Sequence, residues 1–156
     1  MEIPGLGRFT AEPDLGWYRG EPVPVPLLDG ASCEFVLSGY DDDPAPADFH
    51  AAIKTFRTLD RGVLEAVAPD LHAYYRDVAE TVEYGPDSIL DHVRLGREMF
   101  VEREKDHVYV SVESGCDWEI EHGLVVVFRD GATVTRVGPY DGHLINVDGA
   151  VYSTGF

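Results

Sequence analysis

The sequence predicts an α+β fold: an antiparallel sheet with helices from the middle of the chain packed on one face. Three observations carry this expectation. Apolar residues alternate with period two through the final third, helical periodicity fills the middle, and a proline-punctuated strand pattern lies near the start. With 156 residues, 44% of them hydrophobic, the chain can bury one sizeable core, so a single domain over residues 1–156 is expected.

Residues 21–28, EPVPVPLL, place Pro22, Pro24 and Pro26 at every second position. Amides of one parity in a strand point to the same edge, so the three missing N–H groups fall on one side, while Val23, Val25 and Leu27 keep donors for the other. This is the pattern of an edge strand whose outer rim cannot recruit another chain. Residues 33–40, CEFVLSGY, follow the turn signal Asp29-Gly30, are rich in strand formers, and are expected to complete a hairpin. A further strand around residues 15–20, LGWYRG, has a weaker pattern.

Residues 41–47, DDDPAPA, end the strand region and open the helical one. Phe49, Ala52, Ile53, Phe56, Leu59, Val63 and Val67 recur at helical spacing, and beyond Pro69 a second stripe runs through Leu71, Tyr74, Tyr75, Val78 and Val82. Each stripe should bury one face. Gly62 and Pro69 mark the breaks, Pro69 because a residue without an amide donor fits only a first turn. The segment YGPDS, residues 84–88, closes the helical region.

In residues 107–114, HVYVSVES, Val108, Val110 and Val112 share a face opposite Tyr109, Ser111 and Glu113, as in a half-covered antiparallel strand. EMFVERE precedes it across Lys105-Asp106. Residues 124–128, LVVVF, are apolar on both faces and read as a central strand, which Asp130-Gly131 turns back into ATVTRV. The tail from Asp141 carries two Asp-Gly signals and is expected either to add a short ribbon or to lie as loop.

Charge narrows the partners. Twelve basic against 29 acidic residues leave −17, and the Arg and Lys residues are scattered among acids with no basic stripe to offset them. Phosphate backbones repel such a surface, so nucleic-acid binding is not expected, whereas a basic protein partner is compatible. No stretch approaches the ~18 apolar residues of a spanning helix, and the opening MEIPGLGRFT has no basic or apolar leader region, so no membrane association and a cytoplasmic location are expected. Only Cys33 and Cys116 supply thiols, which makes a reduced intracellular pair the default expectation and a single disulfide the alternative.

The chemistry-bearing residues crowd into SGCDWEIEHG, residues 114–123, read as a connection between two strands. Cys116, His122 and His143, with Asp117 or Asp141, have the donor types of a zinc site, but no pair has the short spacing that places two ligands on one turn. Acid runs at YDDDPAP and YDGH lack the alternating ligands of a calcium loop. Cys116 could act as a nucleophile only if His122 or His143 contacts it beside an oxyanion site. Trp118 among Asp117, Glu119 and Glu121 fits an anchor for Lys or Arg of a partner, and equally an indole folded over the sheet end as core.

The run CDWEIEHGLVVVFRDG, residues 116–131, followed by VGPYDGH, residues 137–143, resembles a family of uncharacterised bacterial proteins known only as a domain of unknown function. Its pattern is Cys-Asp-Trp-Glu, His-Gly, an apolar strand, a glycine turn and Asp-Gly-His-Leu. The resemblance covers the last third of the chain and puts weight on Cys116, Asp117, Trp118, Glu119, His122, Gly123, Gly131, Asp141, Gly142, His143 and Leu144. Ser114-Gly115 and Ile145 depart from it, where acids and a threonine are expected. It implies candidate positions and no mechanism.

Two functional expectations follow. The first is a non-enzymatic acidic binding protein, of the immunity type by analogy of size and charge, contacting a basic partner through Trp118, Glu119, His122, Asp141 and His143, with no cofactor. The second is a metal-dependent enzyme using Cys116, His122, Asp141 and His143. A purely structural role, with His122 and His143 bonding loop carbonyls, is the third possibility for the motif.

Overall fold

The computed structural model describes residues 1–153. Among them ten strands form one sheet: β1 (Glu2–Ile3), β2 (Gly7–Glu12), β3 (Trp17–Gly20), β4 (Val23–Pro24), β5 (Ser32–Ser38), β6 (Val93–Arg94), β7 (Glu98–Glu104), β8 (His107–Cys116), β9 (Leu124–Arg129) and β10 (Thr133–Gly138). Three α-helices lie between β5 and β6: α1 (Pro46–Phe56), α2 (Gly62–Ala66) and α3 (Ala68–Val78). The strand order is β1-β2-β3-β5-β7-β8-β9-β10, with β4 paired to the start of β5 and β6 to the end of β8. The fold is therefore mixed, a large and mostly antiparallel sheet with a few helices.

One pairing corrects the antiparallel expectation. β5 and β7 run parallel, from Glu34 beside Glu98 to Leu37 beside Val101. Parallel neighbours need a long crossover, and the helical stretch supplies it. Nothing in the local pattern of either strand reveals such a partner, because period-two alternation is the same for both directions.

Pleating sends alternate residues to opposite faces. Val108, Val110 and Val112 join the main core with Phe35, Leu37, Met99, Val126 and Phe128, and the apolar stripe of α1, Phe49, Ala52, Ile53 and Phe56, joins that same core. Phe56 meets Phe35 at 5.7 Å and Phe128 at 5.2 Å, both edge-on. The opposite set, Tyr109, Val125 and Val127, gathers with Leu144 into a separate, smaller cluster. These two sides are called the Val110 face and the Tyr109 face below.

Local signals explain the helix limits. Pro46 and Asp48 occupy the first turn of α1 and Lys54 its last, where the proline lacks no bond and the charges oppose the helix dipole. Asp43 accepts from the Ala45 amide at 2.9 Å, while Arg103 of β7 grips both oxygens of that carboxylate at 2.6 and 2.9 Å. Pro69 sits in the first turn of α3 as expected. The second stripe stops short: Val78 and Val82 are exposed, because the chain turns extended at Ala79.

The proline segment is also shorter as a strand than its alternation implies. Only Val23 and Pro24 enter the ladder, opposite Cys33 and Ser32, and Pro26 opens a 3-10 turn to Leu28 that buries Leu27. The hairpin β2–β3 at the start was missed apart from the weak pattern at residues 15–20; its partner strand GRFTAE is too polar to advertise itself. Residues 139–153 form no strand and lie as loop. No helix among the described residues is long and apolar enough to cross a membrane.

The β9–β10 hairpin turns as its Asp-Gly signal requires. Asp130 and Gly131 both have positive φ, 54° and 72°, and Ala132 donates to the Arg129 carbonyl at 2.9 Å. A Cβ on Gly131 would stand 1.9 Å from the Ala52 carbonyl of α1, so this glycine also permits the helix to approach the turn.

Candidate functional site

The connection between β8 and β9 is braced from within. The Cys116 thiol donates to the Glu119 and Gly123 carbonyls at 3.6 and 3.7 Å. Glu119 accepts from the amides of Glu121 and His122, and the Tyr74 hydroxyl of α3 donates to the Gly123 carbonyl at 2.7 Å. Asp117 is held by Arg94 and His92, which keep its carboxyl below the ordinary range. Burial pushes the Cys116 thiol up, so the thiolate a nucleophile needs is disfavoured.

Trp118 belongs to an aromatic stack. Its ring meets Tyr74 edge-on at 5.6 Å and Tyr75 at 5.8 Å; Tyr75 lies flat on Tyr84 at 4.1 Å, and Tyr84 on His92 at 3.6 Å. Burial raises the Tyr84 hydroxyl to about 12. The indole is partly buried and packs against the main core, and its Nε1 is buried with no hydrogen-bond partner among the described residues.

Asp141 and His143 sit in a loop organised by Arg136 of β10. This arginine, 1% exposed, donates to the Asn146 side chain, to the His143 and Pro139 carbonyls and to the Asp141 carboxylate. Burial works to raise the Asp141 carboxyl, but the His143 amide and Arg136 outweigh it and hold it below its usual range. The loop seats Leu144 on Tyr109, Val125 and Val127, thereby covering part of the Tyr109 face.

Beside that cover, the sheet and the loop border a partly open cavity of about 250 Å³. Trp17 of β3 and Phe100 of β7, 5.5 Å apart and edge-on, form an aromatic wall. Glu102 of β7 and Glu113 of β8 supply carboxylates, Ser111 of β8 a hydroxyl, and Tyr140 the rim. Ser111 stands opposite Phe100 in the ladder, is 6% exposed, and its hydroxyl has no partner among the described residues. Burial, then the neighbouring Glu104, raises the Glu102 carboxyl, and the Glu113 carboxylate beside it raises the Tyr140 hydroxyl. A second hollow adjoins the first, sharing Glu113 and Tyr140 and continuing past Arg94 to Glu121 and His122.

The five residues singled out in the sequence therefore divide. His143 borders the first hollow and His122 the second; Glu119 lies on the second but spends its carboxylate on its own turn; Asp141 is tied to Arg136; Trp118 borders neither. His122 pairs with Glu119 at 3.6 Å and His143 with Asp141 at 3.2 Å. Cys116, His122, Asp141 and His143 do not assemble: among the described residues no three His, Cys, Asp or Glu side chains are placed to hold a metal ion together. Trp17, Phe100, Glu102 and Ser111 were missed. The alternation of β8 flags the face on which Ser111 lies, but the parallel β5–β7 pairing that brings β3 and β5 beside it has no local signature.

A family model described as Domain of unknown function (DUF6985) matches residues 5–144. The match thus reaches through the first ninety residues as well as the last third. No curated protein and no solved structure matches the chain.

Proposed function

The chain belongs to that family, whose description names no activity, and from the geometry we propose a non-enzymatic protein that binds a basic partner through the Tyr109 face and the adjoining hollow. The observation that carries this is a set of three carboxylates, Glu102, Glu113 and Glu121, that line the two hollows without an ion-pair partner among the described residues. On a chain of charge −17 they add to a field that speeds encounter with a cationic surface. In this reading the helices cover the Val110 face alone and leave the Tyr109 face for the partner. Masking a basic protein, as an immunity-type protein does in the cytoplasm, is the specific form of the proposal; two buried, unpaired thiols suit that compartment.

The test is calorimetric titration of the full chain with lysine- and arginine-rich peptides. Binding is expected at ~20 mM salt and should weaken several-fold by ~0.3 M. The triple variant Glu102→Gln, Glu113→Gln, Glu121→Gln should lose at least about tenfold in affinity, and Trp118→Phe should lose none. Equal binding by the triple variant would sink the proposal.

A further inference from the structure

Resting on that binding reading, we infer that the cavity between Trp17, Phe100, Glu102, Ser111, Glu113 and Tyr140 takes one guanidinium group on an apolar stem, an arginine side chain of the basic partner. The floor is built for a polar guest. Ser111 keeps a hydroxyl in the middle of the sheet between two valines of the same strand, and leaving it buried and unpaired is costly unless something fills the cavity. Glu102 and Glu113 line the same cavity with no ion-pair partner among the described residues, Glu113 accepting from the Tyr140 hydroxyl. A guanidinium matches this set better than an ammonium. It is planar, loses hydration more readily, stacks on an aromatic wall such as Trp17 and Phe100, and spreads five donors over several acceptors. A volume of about 250 Å³ holds such a side chain with its stem.

The same face already shows the arrangement. Arg19, two residues along β3 from Trp17, lies among the carboxylates of Glu12, Glu34 and Glu98, and Arg136 fills the opposite side beneath the loop. Between these two engaged arginines lies the cavity, whose carboxylates have none.

The experiment is titration of the full chain, by calorimetry and by the fluorescence of Trp17 in a Trp118→Phe background. The ligands are four short peptides alike but for one central residue, Arg, Lys, citrulline or Ala, and free butylguanidinium. The Arg peptide should bind tightest and the citrulline peptide, neutral and of the same shape, no better than the Ala peptide. Ser111→Ala should weaken the Arg peptide about five- to tenfold while leaving thermal stability unchanged or higher, because no internal hydrogen bond is lost. Glu102→Gln should weaken it by at least about tenfold.

Citrulline binding as well as arginine, or affinity unaltered in both variants, overturns the assignment. If Arg and Lys peptides still bind alike and salt-sensitively in Ser111→Ala, the cavity assignment fails and the surface reading stands. If no cationic peptide binds at all, both fail. Butylguanidinium binding as tightly as the Arg peptide overturns the protein source of the guanidinium.

Discussion

Asp43 is nearly enclosed, and its two oxygens meet Arg103 from β7 while one also takes the amide that starts α1. Arg103 first, and the Ala45 amide after it, hold the carboxyl below its ordinary range. A carboxyl lowered in the folded state contributes stability that is complete above the unfolded value, near 4, and is lost as pH falls through its own lower value. Asp43→Asn should therefore be destabilised at neutral pH, and its stability should fall less steeply than that of the parent between about pH 4 and 2. Urea melts at a series of pH values measure both; parallel curves for the two proteins would refute the assignment. Single residues also brace the β8–β9 connection. Cys116, Tyr74 and one oxygen of Glu119 bond to that connection's own backbone.

Among the elements, the β9–β10 turn carries the sharpest constraint. Its glycine combines a left-handed backbone with contact to the carbonyl of Ala52, so Gly131→Ala both strains the turn and drives α1 off the sheet. A left-handed alanine alone costs about 1–2 kcal/mol, and the clash with the Ala52 backbone adds to it. We expect a loss exceeding about 2 kcal/mol in denaturant midpoints, with hydrogen exchange rising in α1 and β9 together. Asp130→Gly, at the other positive-φ position, should cost far less, and a Gly131→Ala protein as stable as the parent would show that α1 does not rest on the turn. The loop after β10 depends instead on a buried cation: Arg136 gathers four acceptors from residues 139–146, and of the two forms that its Asp-Gly pairs allowed, ribbon or loop, the tail takes the loop.

At the scale of the molecule, charge and cover set the behaviour. With 29 acids against 12 bases, self-repulsion opposes the compact state, and screening should relieve it. Thermal melts from ~10 mM to ~0.5 M sodium chloride should show Tm rising by several degrees. A falling Tm would mean that the ion pairs around Arg19 and Arg103 outweigh the general repulsion. The distribution of cover is equally telling. The apolar stripe of α1 joins the core of the Val110 face, whereas on the Tyr109 face Leu144 of the loop after β10 gathers with Tyr109, Val125 and Val127. The cavity where Trp17 and Phe100 meet the carboxylates of Glu102 and Glu113, which have no ion-pair partner among the described residues, is the part of the surface on which the proposed binding depends.

The sequence by itself determined the helical middle with its breaks at Gly62 and Pro69, the strands of the final third and the Asp130-Gly131 hairpin; of SGCDWEIEHG, read as a connection, only residues 117–123 connect two strands, because Ser114, Gly115 and Cys116 belong to β8. Each is written in contacts a few residues apart, through periodicity, missing amide donors and glycine's backbone freedom. Only the tertiary structure decided that β5 and β7 are parallel, that Trp118 joins a stack with residues more than twenty positions away, and that Ser111 lines a cavity. Those outcomes depend on which distant strands become neighbours, and alternation along one strand records its two faces but not the strand beside it.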